Sequence, residues 1–376
     1  MKKITIEKNA ANTKLFKLMA DTRNMTEAVK AREAFAAFIT QPILNVIESS
    51  PVIGNLFTSW SYDYGTPASI PLAPLFDIKQ ADFVKVWAQS RPGGLASSQN
   101  MDVSELMVST YALTSAINFP LNYIRAARVD VVAAYLQRAV QEFLYKQEAN
   151  SFAVLGAVAA QSTYVLPNST PYQILRSYTQ GSVVPQDVSR LVTLMSRVNS
   201  SWAGATPAGA GRSITTLVGS PEFMEQIRNM AFEPLNTKLG STFPLGGPEA
   251  FRNDIYTSVG NPSIYGMELV NVYDMGIGQR YNIVFGNYAS TNAYPNYGLA
   301  ATTAAFSPGS EQIVLGIDKR QDFLARLVET NPDDGSTLET LPDNQWSNRS
   351  ETIGYYMKIR EGRVALDGRN CVGLIY

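Results

Sequence analysis

Between residues 122 and 155 the chain carries its longest helical signal, and that signal limits the folds open to it. Ala127, Val131, Tyr135, Ala139 and Phe143 recur at every fourth residue, and Val132, Leu136, Val140 and Leu144 run beside them as a second stripe. Two adjacent stripes give an apolar face broad enough to lie along a sheet. Gly156, and later Pro167 and Pro171, supply the stop. An all-β barrel or sandwich has no place for such a segment.

The patterns on either side are mixed. Asn24 with Glu27 three residues on has the form of a capping box, and Ala28, Ala31, Phe35, Phe38 and Ile39 follow at helical spacing until Pro42, so a short helix is predicted over 25–40. From Phe57 to Ile117 the reading is β-rich: Asp82 to Trp87 alternates on one side, Leu106 to Ile117 lies on the other, and Arg91-Pro92-Gly93-Gly94 marks the tip of a long hairpin. A lone hairpin is marginal in water, so a long one implies a partner surface. Farther on, Val188, Leu191, Val192, Met195 and Val198 predict a second amphipathic helix after Pro185. Ile214 to Val218 reads as a strand stopped by Gly219, with Ser220 as N-cap, Pro221 at the first helical position and Glu222 in the first turn. Strands are predicted at Glu268 to Tyr273 and Tyr281 to Phe285, between segments rich in Gly, Pro, Asn and Tyr. In the tail, Thr352 to Arg360 alternates, Glu361-Gly362 reads as a turn, Val364 to Leu366 resumes, and Asp367-Gly368 predicts a hairpin into Cys371 to Tyr376.

Composition narrows the function classes. Apolar residues make up 45% of the 376 and charged residues only 17%, below the about 25% usual in soluble domains. Such a chain hides surface by associating. It contains no histidine, which removes Ser-His-Asp and Cys-His catalysis and the commonest metal ligand. Its one cysteine, Cys371, lies in an apolar run and reads as a buried, inert thiol. The formal charge of −1 disfavours a dedicated nucleic-acid binder. Within residues 1–33, however, eight basic residues (Lys2, Lys3, Lys8, Lys14, Lys17, Arg23, Lys30, Arg32) face four acids (Glu7, Asp21, Glu27, Glu33), a local excess of four. The N-terminus lacks the apolar segment of a secretion signal, and no apolar run is long enough to span a bilayer, so the chain is expected to be intracellular when made.

Two motifs invite chemistry and are read as structural. Gly276-Ile277-Gly278 lacks the third glycine of a dinucleotide fingerprint, and a strand is predicted to follow it. Asn331-Pro332-Asp333-Asp334-Gly335, with Glu339 and Asp343 beyond, lacks the alternating spacing of a calcium loop and reads as a solvated acidic turn. No catalytic, cofactor-binding or metal-binding residue is assigned, and no cofactor.

Taken in order, these elements resemble the HK97-like fold of the major capsid proteins of tailed bacteriophages (Caudoviricetes). The resemblance rests on the strand leading to Ser220-Pro221-Glu222-Phe223, on Gly266-Met267-Glu268-Leu269-Val270 through Met275-Gly276-Ile277-Gly278, and on Glu351 to Arg369. It implies an α+β chain divided into an N-terminal arm (1–56), an extended β-hairpin loop (57–118), a peripheral domain with its spine helix (119–184), an axial domain (185–310) and returning peripheral strands (311–376). It implies a structural, non-enzymatic virion protein that self-assembles into pentamers and hexamers of an icosahedral head around double-stranded DNA. The partners it implies are further copies of the chain, a separate scaffolding protein, a portal, decoration proteins and non-specific contact with packaged DNA, with no membrane. Assembly would take place in the host cytoplasm. Some relatives crosslink a loop lysine; Lys79 and Lys85 lie in the loop region but the tip offers only Arg91, so no crosslink is expected. An encapsulin-type compartment shell is the alternative on the same fold, and a carbohydrate-binding surface protein a more distant one.

Overall fold

A computed structural model describes residues 4, 6, 9–21, 23–71, 105–161, 173–203, 213–232, 263–295, 303–319, 323–331, 335–343 and 351–376. The expected hairpin tip and the lysines of the loop lie outside the described residues. In chain order the elements are α1 (Ala10–Met19), α2 (Met25–Ser49), a 3₁₀ turn (Gly54–Leu56), β1 (Thr58–Asp63), β2 (Ser69–Pro71), β3 (Glu105–Met107), β4 (Tyr111–Pro120), α3 (Leu121–Arg125), α4 (Val129–Gln161), β5 (Ile174–Arg176) and α5 (Pro185–Ala203). There follow β6 (Thr216–Gly219), α6 (Pro221–Phe232), β7 (Ser263–Ile264), β8 (Met267–Asn271), α7 (Arg280–Ala289), β9 (Tyr294–Pro295), β10 (Thr303–Ala304), β11 (Ile313–Ile317), β12 (Leu324–Thr330), β13 (Glu339–Asp343), β14 (Thr352–Ala365) and β15 (Cys371–Ile375). The class is α+β, and the chain forms two compact units: Met1–Ser69 with Met107–Ser151 and Ala325–Val364, and Ile70–Leu106 with Phe152–Leu324 and Ala365–Tyr376.

The first unit is organised by β14. It pairs antiparallel with β4 from Thr352↔Pro120 to Glu361↔Tyr111, and with β13 from Gly354↔Asp343 to Lys358↔Glu339. β12 joins the same sheet and carries β1 parallel beside it. Alternation sends Ile353, Tyr355, Met357 and Ile359 inward. They meet the Val132–Leu136–Val140–Leu144 stripe of α4 in one core, while Tyr135 of the other stripe is exposed. Both stripes enter this core, the first through Ala127, Ala139 and Phe143, and only its Tyr135 is left exposed.

α2 runs nine residues past the predicted limit of 40, through Pro42 to Ser49. Pro42 removes one backbone N–H, but it sits on the exposed side of the helix, where Phe38 is also exposed and its carbonyl can reach water. Beyond it Ile43, Leu44, Val46 and Ile47 bury themselves, which outweighs the lost bond. The capping-box start is correct in position only, because the Asn24 side chain makes no cap hydrogen bond. An aromatic chain ties the arm to the sheet: Phe16 to Phe35 at 5.2 Å, Phe35 to Tyr355 at 5.5 Å and Tyr355 to Phe119 at 6.0 Å.

The second unit holds a six-stranded sheet in the order β5-β15-β11-β6-β8-β7. β6 and β8 are parallel, and the chain leaves β6 directly into α6, the strand-to-helix step read from the sequence. Ser220 caps that helix as expected, its Oγ accepting from Phe223 N at 3.2 Å. Gly219 is the last residue of the strand, and a Cβ there would lie 2.6 Å from the Phe223 ring, so the close approach of α6 favours glycine.

Three tail and loop predictions are corrected. Tyr281–Phe285 is helical, within α7, where a strand was predicted. Tyr281 and Phe285 share a face in either conformation; Ile283 separates the two, because a strand would turn it inward and it is 45% exposed. Glu361-Gly362 is no turn, since β14 passes straight through it. Gly362 is required there by a neighbouring backbone: a Cβ would lie 3.0 Å from Ser109 O. Asp367-Gly368 does turn the chain, with Asp367 Oδ1 accepting from Arg369 N at 3.0 Å, but it joins strands of two different sheets and makes no hairpin.

Gly362→Val is expected to lower the stability of the first unit by about 1–3 kcal/mol through overpacking. Gly309→Ala, where nothing lies within 4 Å of the added carbon, serves as the control and should leave the urea midpoint in place. Equal midpoints for the two variants would show that β14 yields freely at this point.

Candidate assembly surface

Of the residues that invited chemistry, those described have structural roles. Gly276 and Gly278 both have positive φ (138° and 69°), and a helix, α7, follows them where a strand was predicted. That arrangement has the outline of a phosphate loop, but a Cβ on Gly276 would sit 3.1 Å from Glu222 Oε2. A carboxylate at that distance repels the anion such a loop would hold. Of the acidic turn, Pro332, Asp333 and Asp334 lie outside the described residues; Glu339 pairs with Lys358 at 3.4 Å, and Asp343 lies in β13 opposite Gly354. Among the described residues no group of three or more His, Cys, Asp or Glu side chains is placed to hold a metal ion. Nor is any described helix long and apolar enough to cross a membrane.

Cys371 is fully buried, and burial pushes its thiol up to about 12. Little thiolate exists near neutral pH, and the sulfur is out of reach. Iodoacetamide at pH 8 should leave the folded chain unmodified and alkylate it stoichiometrically in denaturant, as read by mass spectrometry. Rapid labelling without denaturant would mean that β15 opens readily.

The charges that matter structurally are buried in networks. In the first unit Glu361 is fully buried on β14 and accepts from Arg326 Nε at 2.8 Å, Arg363 Nη2 at 3.2 Å, Tyr111 Oη at 3.1 Å and Gln147 Nε2 at 3.4 Å. Arg363 also donates to Ser151 Oγ and lies over the Phe57 ring, 5.3 Å from its centroid. Burial, then the neighbouring Glu361 charge, raises the Tyr111 pKa, so the phenol remains a donor to the carboxylate. Here two guanidiniums clamp one carboxylate with charge-assisted hydrogen bonds. Nearby, Glu148 of α4 accepts from three consecutive backbone amides, those of Val52 (2.9 Å), Ile53 (2.9 Å) and Gly54 (3.0 Å). In the second unit Arg176 and Glu311 form a buried pair at 3.1 Å, and Gln312 Oε1 accepts from both Ser220 Oγ (2.7 Å) and Tyr376 OH (2.8 Å).

Sequence reading missed the Glu361 network. A signal was present: Glu361 and Arg363, two apart, share a face on any strand. Taking Gly362 as a turn hid it.

The described surface offers open sheet edges. β1 is bonded on one side only, to β12, among the described residues. Its burial pattern is mostly exposed, Trp60 is 39% exposed, and Tyr64 just beyond it 66%. β13 is likewise an outer strand; Leu341 is exposed there, and Pro342 removes one edge donor. Open edges with exposed aromatic side chains call for a partner.

Comparison with solved structures gives the fold a precedent. A chain from the capsid of an empty GTA particle matches with a TM-score of 0.50 at 11% identity, covering 87% of this chain and 90% of that one. The capsid of the cyanophage P-SCSP1u matches at 0.46 and 12% identity, with coverage of 85% and 86%. The holo-SrpI encapsulin complex from Synechococcus elongatus PCC 7942 matches at 0.44 and 12% identity, with coverage of 85% and 85%. No protein-family model matches the sequence, and no curated protein matches it. The chain has the HK97-like fold, and the likeness to the GTA capsid chain extends over nearly the whole of both.

Proposed function

We propose that this protein is the major shell subunit of a tailed-phage head, assembling as pentamers and hexamers into an icosahedral container for double-stranded DNA and performing no catalysis. The observation that carries the reading is the β1 edge left unpaired among the described residues, with Trp60 exposed on it and Tyr64 just beyond, on a fold shared with a capsid chain. Function on this reading is geometry. The arm (1–56) and extended loop (57–118) reach neighbouring copies, the axial segment (185–310) lines the capsomer centre, and the peripheral segments (119–184 and 311–376) join capsomers. Closing edges on neighbours buries area beyond a standard interface of about 1,600 Å² and removes sites of uncontrolled pairing. A formal charge of −1 keeps repulsion between many packed copies low. A separate scaffolding protein, a portal and decoration proteins complete the set of partners. The protein is assembled in the host cytoplasm and resides in the virion.

Negative-stain electron microscopy and sedimentation of the purified chain, with and without its scaffold, test this. Closed shells, rings of five or six subunits, or tubes are expected. A monodisperse monomer at high concentration under both conditions would overturn the proposal. Particles carrying protein cargo in place of DNA would transfer it to an encapsulin-type shell.

A further inference from the structure

A depression of about 390 Å³ lies on the first unit, on the face of the β14 sheet turned away from its core. Alternation puts it there: Met357 and Ile359 of β14 are buried, so Lys358 and Arg360 stand on the opposite face. Glu329 near the end of β12 and Glu339 at the start of β13 complete a floor of four charges. These are already paired, Lys358 Nζ with Glu339 Oε2 at 3.4 Å and Arg360 Nη1 with Glu329 Oε1 at 3.4 Å. The floor is therefore neutral in sum. Each carboxylate keeps a second oxygen, Glu329 Oε2 and Glu339 Oε1, that accepts from no donor among the described residues. Asn331 adds an amide to the lining, and Tyr64 stands at the rim, 66% exposed. The backbone under Tyr64 is held on both sides. Thr330 Oγ1 donates to Tyr62 O at 3.1 Å and to Asp63 Oδ1 at 3.2 Å, and Thr66 N closes the following turn onto Asp63 O at 3.0 Å, with Gly65 at a φ of 84°. An anchored turn thus presents an aromatic ring to water beside a neutral, hydrogen-bonding floor.

We propose that this depression binds a neutral pyranose ring of a polysaccharide, an activity separate from assembly. A pyranose has an apolar face of C–H groups and a girdle of hydroxyls, each both donor and acceptor. The C–H face packs on the electron-rich face of an aromatic ring, which Tyr64 offers. The hydroxyls need acceptors and donors side by side, which the two carboxylates, the Asn331 amide and the Lys358 and Arg360 cations provide. Other ligand classes fit worse. A charged ligand would be selected by a net field, and two anions against two cations supply none. A peptide would need a pocket for an anchoring apolar side chain, and the Tyr64 ring is the one large apolar group among the described residues that line the depression. Trp60, on which the shell reading draws, lines a different depression beside Arg326 and Arg363, so the two surfaces are separable.

The test is saturation-transfer NMR and calorimetry on the full-length chain titrated with maltohexaose, cellohexaose and chitohexaose, which span α- and β-linked neutral pyranoses. At least one should bind weakly, with saturation concentrated on the C–H protons of one ring face. Tyr64→Ala should weaken that binding by about fivefold to tenfold, the equivalent of one lost aromatic contact, whereas Tyr64→Phe retains the ring and should stay within about twofold of wild type. Raising sodium chloride from about 50 to 500 mM should leave the affinity in place, because no net charge is exchanged. Tyr273→Ala, which removes an 80% exposed tyrosine of the second unit, is the control and should bind as wild type does. Both tyrosines are exposed, so circular dichroism should show all three variants folded. Failure of all three saccharides to bind would overturn the proposal, as would Tyr64→Ala binding at wild-type affinity, a steep loss with salt, or tighter binding of anionic oligogalacturonate. Electron microscopy of the same samples keeps this proposal apart from the shell reading. Shells that form from a chain with no saccharide binding sink the saccharide site alone, and saccharide binding by a chain that never assembles sinks the shell reading alone.

Discussion

Glu361→Ala is expected to destabilise the unassembled chain by about 3–5 kcal/mol, the range found when one member of a buried ion pair is removed. The size follows from what is left behind. Glu361 is fully buried, and its loss strands Arg363, only 2% exposed, and Arg326, 14% exposed, without the carboxylate that neutralises both. Tyr111 OH and Gln147 Nε2 lose their acceptor in the same step. Glu361→Gln retains shape and part of the hydrogen bonding but not the charge, and it should fall close to the alanine variant. Replacing Glu361, Arg326 and Arg363 together by methionine should recover most of the loss, because no buried charge then remains to be compensated. Urea denaturation followed by circular dichroism reads all three. A midpoint for Glu361→Ala within about 1 kcal/mol of wild type would mean that water reaches β14 and solvates the arginines.

Glu148→Ala carries the second large effect, about 2–4 kcal/mol, given the strength of hydrogen bonds to a charged acceptor. Three successive amides converge on this carboxylate, Val52 and Gly54 on Oε1 and Ile53 on Oε2. They sit where the chain leaves α2 and turns through 54–56 toward β1, so the carboxylate pins that connection to α4. Space for it depends on Gly54, where a Cβ would lie 2.8 Å from the Pro51 Cβ and 3.2 Å from Glu148 Oε1. Amide hydrogen exchange gives the most direct reading: protection at Val52, Ile53 and Gly54 should collapse in Glu148→Ala while the β4–β14 ladder stays protected. Unchanged protection at those three amides would refute the role assigned to Glu148. Should the substitution also weaken shell formation, the β1 edge would be implicated, since the pinned turn leads directly into it.

Much of the layout was legible because local rules decided it. The stripes of α4 follow from period alone, as do the Pro185 helix and the Ser220-Pro221 start of α6, where an N-cap and a helix-compatible proline need no distant partner. The alternation of Thr352 to Arg360 identified β14, and the missing histidines removed whole classes of catalysis before any geometry was known. The errors fell where two conformations share a pattern. Tyr281 and Phe285 lie on one face of either a helix or a strand, and only the stacking of Tyr281 on Phe152 at 4.3 Å with Ile283 left outside separates them. Pro42 and Gly362 carry strong local meanings as helix breaker and turn former. Distant packing overrode both: the core face of α2 holds the helix together past Pro42, and the approach of Ser109 requires glycine in the middle of a strand.

The sequence by itself determined the types of the long periodic and capped elements, the α+β class and the exclusion of histidine chemistry, because these depend on periodicity, caps and composition within short windows. Only the tertiary structure decided that both stripes of α4 enter the core while Tyr135 stays outside, that Glu361 meets Arg326 and Arg363, that three amides close on Glu148, and that β1 is paired on one side only among the described residues. Those facts depend on strand pairing between residues hundreds of positions apart, such as Tyr111 with Glu361 and Thr58 with Ala325. Burial sets the energy of a charge or of an exposed edge, and burial is a property of the packed chain.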